Sequence, residues 1–136
     1  MQNRRRINSK NCIVNTIIPL IIGGGLYYLF CPQVLFVKQL DLLFGVGFHV
    51  SQIRNSFFMV FRNYFFDFVW AYSFSSAVSA ISENKVIRLS IPIIFVSVLE
   101  VMQMFIPKWG TFDLIDIIIE VIASLIVWLF FNTRGK

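Results

Sequence analysis

The sequence predicts an all-α fold: a polytopic transmembrane helical bundle of four spanning helices plus one interfacial or re-entrant helix. Three observations predict it. Of 136 residues, 57% are apolar and 14% charged, where a soluble domain carries about 25% charged residues. Four apolar runs, at about 13–30, 64–82, 89–106 and 114–131, are each 18 or 19 residues long, enough for a hydrocarbon core of roughly 30 Å. Short polar connectors, Glu83–Arg88 and Pro107–Asp113, separate the last three runs. No repeat or low-complexity segment divides the chain, so 1–136 reads as a single integral membrane domain.

The first run follows Arg4, Arg5, Arg6 and Lys10. It is too long for a usual signal-peptide core, and no Ala precedes Ala71, so a small-residue cleavage site is missing. An uncleaved first helix is expected. Pro19 and Gly23-Gly24-Gly25 would weaken it in water. In lipid they are tolerated, and the glycines admit a neighbouring backbone. Cys12 and Cys31 flank this helix about 28 Å apart by helix rise, too far to pair within one chain.

Residues 34–50 are apolar, but only Cys31-Pro32-Gln33 separates them from the first run, tight for two full crossings. Lys38, Asp41, Gly45 and His49 form one polar stripe at helical spacing. An interfacial or re-entrant helix fits this pattern best.

Orientation follows from Lys and Arg. With four spans, Arg4, Arg5, Arg6, Lys10, Lys85, Arg88, Arg134 and Lys136 share one side, against Lys38, Arg54, Arg62 and Lys108 on the other. This predicts a multi-pass cell-membrane protein with both termini cytoplasmic. The net charge of +5 does not imply nucleic acid, because the basic residues flank apolar runs and form no patch.

The chemistry-bearing feature is acidic. Of seven Asp and Glu residues, five (Asp67, Glu100, Asp113, Asp116 and Glu120) lie in or beside the apolar runs. A charge at mid-bilayer costs at least about 2.5–3.5 kcal/mol, so such groups face inward and find partners. In the second run Asn63, Asp67, Ala71, Ser75 and Ser79 recur every four residues. Ser97, Glu100, Gln103 and Pro107 share a face of the third. Asp113, Asp116 and Glu120 share one of the fourth, continuing into Ala123 and Ser124. Glu100 and Glu120 fall at equal depth, about 9 Å below the outer interface. The expected binding set is therefore Asp67, Glu100, Gln103, Asp113, Asp116 and Glu120, with Arg62 and Lys108 as cationic partners. No catalytic residue, metal or cofactor is expected: there is no His-Glu-x-x-His, Gly-x-Ser-x-Gly or phosphate loop. His49, the single histidine, reads as an interfacial polar residue.

Glu100-x-x-Gln103-x-x-x-Pro107, followed by Thr111-Phe112-Asp113-x-x-Asp116, resembles the VanZ-like family of small bacterial membrane proteins. The resemblance covers mainly residues 96–124. Lys108 stands where that family has Arg, and Glu120 and Ser124 where it has Asn and Gly. The resemblance implies an envelope role and a link to glycopeptide (teicoplanin-type) resistance, with membrane lipids or a lipid-linked envelope precursor as partners. Three other classes compete. They are a proton or cation relay, in which a homo-oligomer would multiply the spans, a hydrolase or transferase using carboxylates and His49, and a structural subunit.

Overall fold

The computed structural model describes residues 13–32, 35–50, 56–106 and 112–133. Five α-helices and no strand occur among the described residues. A π-helical turn, Ile13–Ile17, runs into α1 (Ile18–Phe30); α2 is Leu35–Phe44, α3 Ser56–Ile81, α4 Lys85–Phe105 and α5 Leu114–Thr133. Pro19 falls in the first turn of α1, where its missing N–H costs least.

Two of these helices, α4 and α5, are long and apolar enough to cross a membrane. The apolar stretch Val14–Phe30 is shorter, and α3 is diluted by Arg62, Asn63, Asp67 and its serines.

Boundaries shift from the expected ones for local reasons. The second run was expected from 64, but α3 begins at Ser56, because Phe58–Phe61 continue the helix outward. α4 begins at Lys85 and not at 89, because Asn84 caps it: its side chain accepts from the Val86 N–H at 2.9 Å. α2 stops at Phe44, short of the expected 50. Gly45 takes φ +62°, the left-handed conformation that ends helices. His49 therefore sits on a returning loop and not on a continuing helical stripe.

α3 is the centre of the bundle. It packs most extensively on α5, with α4 against both and α1 on its other side. The α3–α5 seam is built from small residues: Ala71, Ser75, Ser79, Ala123 and Ser124 are fully buried. The Ser75 and Ser124 hydroxyls bond at 2.9 Å. The Trp128 indole donates to the Lys85 carbonyl at 3.0 Å, tying the far end of α5 to the start of α4. Outward faces carry Ile91, Ile94, Val98 and Val101 on α4, and Ile115, Ile118, Ile122 and Ile126 on α5, all exposed. The interior is thus more polar than the exterior, the reverse of a water-soluble core.

α1 meets α3 at one point of very close approach. A Cβ added to Gly23 would lie 2.6 Å from Val69 Cγ1, whereas Gly24 and Gly25 have open space. We expect Gly23→Ala to lower thermal stability in detergent by about 1–3 kcal/mol, with Val69→Ala restoring much of it. Gly24→Ala should leave the melting curve unchanged.

Candidate functional site

α3, α4 and α5 bring the predicted acids together, and the parallel register of α3 and α5 explains how. Ser75 bonds Ser124 across an offset of 49 residues. The same offset places Asp67 beside Asp116. One turn on, it places fully buried Ala71 beside Glu120.

Glu100 reaches the cluster from α4 and is 5% exposed. Both of its oxygens are occupied: Gln103 Nε2 donates to Oε1 at 3.0 Å, and the Asp113 backbone N–H donates to Oε2 at 3.4 Å. Asp113 accepts the Ile115 N–H at 2.8 Å, which caps the start of α5. Asp113 and Asp116 both lie at the positive end of the α5 dipole. Glu120 differs from all of these. It is 8% exposed, and its Oε2 is buried without a hydrogen-bond partner. Asp67, Glu100 and Asp116 are its charged neighbours.

Of the expected cations, Arg62 turns away from the acids. Arg62 Nη1 donates to the Phe30 carbonyl at 2.8 Å, capping the end of α1, and its other nitrogens reach Asn63 Oδ1 at 3.1 and 3.3 Å. It lies five residues before Asp67, off the four-residue row that turns inward. Lys108 lies outside the described residues, as do Arg54, Pro107, Trp109, Thr111 and the terminal basic residues. Among the described residues no cluster of His, Cys, Asp and Glu is arranged to hold a metal ion.

Asp67 has a second environment. It lines a cleft of about 420 Å³ between α1, α2 and α3, whose other walls are mainly Leu20, Gly24, Leu40, Phe66 and Trp70. α2 makes little helix–helix contact. Buried Val37 anchors it, and a polar clasp not foreseen from the sequence closes it onto α1. The Tyr28 hydroxyl donates to Asp41 Oδ1 at 2.5 Å, and His49 Nε2 lies 2.7 Å from Asp41 Oδ2. His49 Nδ1 donates to the Tyr28 carbonyl at 3.1 Å, and the Val50 N–H to the Leu29 carbonyl at 3.1 Å. Both ring nitrogens of His49 are therefore occupied.

No protein-family model, curated protein or solved structure matches this chain.

The Tyr28 hydrogen bond, reinforced by His49, holds the Asp41 carboxyl below its usual range, against the opposing effect of desolvation. A depressed folded value means that Asp41 stabilises the clasp above the ordinary carboxylate pKa of about 3.9. That contribution is lost as pH falls through the lower folded value. We expect hydrogen exchange at the Val50 amide to stay slow down to about pH 4 and to accelerate below it. In Tyr28→Phe the acceleration should begin at higher pH.

Proposed function

We propose that this chain is a multi-pass membrane protein of the bacterial envelope, akin to the VanZ-like family. On this reading it binds the polar head group of a lipid or lipid-linked envelope precursor at the outer leaflet. The observation that carries the reading is Glu120: a carboxylate buried among Asp67, Glu100 and Asp116, with one oxygen left without a partner. An unsatisfied buried acceptor costs about 1–3 kcal/mol, which a bound donor group would return. Cationic and hydroxyl-bearing groups suit such a site. The apolar outer faces of α4 and α5 support the membrane setting.

In this reading α1 and α3 also cross, giving four spans, with α2 lying at the interface. Both termini are cytoplasmic and the carboxylates lie in the outer half. The helix order supports it, because α3, α4 and α5 are joined by short connectors and pack side by side. Reporter fusions after Gly110 should report outside, and fusions after Asn84 inside. An outside signal at the C-terminus would exclude four spans.

The placing of Asp67 beside Asp116 favours a second reading, a carboxylate relay for protons or a cation. Substitutions separate binding from scaffolding. Glu100→Gln should destabilise the fold by about 1–3 kcal/mol, because its amide would face donors on both sides. Glu120→Gln should leave the melting temperature unchanged, since Oε2 has no partner to lose. If the cluster binds a head group, Glu120→Gln with Asp116→Asn should also lose the co-purifying lipid seen by mass spectrometry. Such cells should lose whatever tolerance of teicoplanin-type glycopeptides the wild-type protein confers. Retained lipid and tolerance in a stable double variant would refute the binding role. Proton uptake by reconstituted vesicles, abolished in the same variant with lipid retained, would favour the relay.

A further inference from the structure

The cleft between α1, α2 and α3 and the carboxylate cluster meet at one residue. Asp67 is on the wall of the cleft and lies beside Asp116 of the cluster. A volume of about 420 Å³ falls within the range of small-molecule sites, about 300–1,000 Å³. Its walls are alkyl and aromatic, with Asp67 the only carboxylate among them and Tyr27 and Tyr28 adding hydroxyl-bearing rings. Gly24 opens it further, because nothing lies within 4 Å of where its Cβ would be. The shape suits a hydrocarbon chain with one polar terminus.

Charge selects that terminus. The cluster holds five acids, and the sequence offers Arg54, Arg62 and Lys108 as the nearest cations. Arg62 is spent on the Phe30 carbonyl. Even with both others engaged, negative groups remain in excess, and Glu120 Oε2 is a buried acceptor without a donor. An ammonium supplies positive charge and three N–H donors in a compact group, whereas an alcohol supplies one donor and a carboxylate none.

We infer that the α1–α2–α3 cleft holds the hydrocarbon chain of an amphiphile whose ammonium group sits against Asp67. This rests on the reading of the cluster as a head-group site and names the class of molecule it takes. The clasp of Tyr28, Asp41 and His49 positions α2 as the outer wall of that cleft.

Trp70 lines the cleft and provides the readout. The probes are a brominated long-chain alkylamine and the alcohol and carboxylic acid of the same chain, titrated into the full-length protein in neutral detergent. The amine should quench tryptophan fluorescence saturably, about tenfold more tightly than the alcohol, and the acid least of all. Trp70→Phe should remove the saturable component. Asp67→Asn should bring the amine down to the affinity of the alcohol while leaving alcohol quenching in place. Gly24→Leu should fill the cleft and remove saturable quenching by every probe. Equal quenching by all three probes in the wild-type protein would overturn the charge selection. Unchanged quenching in Gly24→Leu would place the chain outside the cleft and overturn the site. If Asp116→Asn with Glu120→Gln keeps the full amine preference while Asp67→Asn loses it, the cleft stands and the cluster reading falls.

Discussion

The close approach of α3 to α5 is the constraint on which the rest of the structure depends. Ala71, Ser75, Ala123 and Ser124 are small enough to let the two helices meet, and the Ser75–Ser124 hydrogen bond fixes their register. That register lines up the two rows at every fourth residue. It sets Asp67 against Asp116, and it opens a space over Ala71 that Glu120 fills. Were either row built of Leu or Phe, the helices would stand further apart. The carboxylates would then face each other across solvent or lipid, without direct contact. α4 and α1 dock on opposite sides of this pair, so the cluster and the cleft are both consequences of one seam.

Within the cluster the acids are satisfied to different degrees, and the differences sort structural groups from available ones. Asp113 is spent on the start of α5. Glu100 takes one donor on each oxygen and so ties α4 to the same helix start. Asp67 and Asp116 lie side by side across the seam. Glu120 retains an open acceptor. Each unpaired buried group costs free energy that an apolar side chain would not, and Ser76 and Ser79 on α3 carry a cost of the same kind.

Much of this was legible in the sequence, and the parts that were not have identifiable causes. The four-residue rows through Asp67 and Glu120 gave the convergence directly, because helical periodicity survives into the structure wherever a helix is straight and long. The span of α5 from 114 was also readable. Arg62 was misplaced as a partner of the acids. Sequence proximity suggested it, but five residues turn it towards the end of α1. The expected helix over 34–50 failed at Gly45, a residue whose left-handed backbone breaks the pattern while its neighbours stay apolar. The clasp followed from that failure. Asp41 and His49 looked like members of one stripe, and they meet because the chain reverses between them. Tyr28 carried no signal at all, since nothing local marks a tyrosine whose partner lies on the next helix.

The placement of polarity links these features. Outward surfaces of α4 and α5 are rich in Ile, Val and Leu, while polar side chains gather between the helices. Two interior polar systems result, and they are built on different principles. The clasp is closed: both nitrogens of His49 and both oxygens of Asp41 have partners, so it fixes α2 in place. The cluster is open at Glu120, and through Asp67 it reaches the wall of a cavity. A closed network suits holding a wall, and an open one suits receiving a group. The cleft lies between the two, with α2 held on one side by the first and Asp67 of the second on its wall.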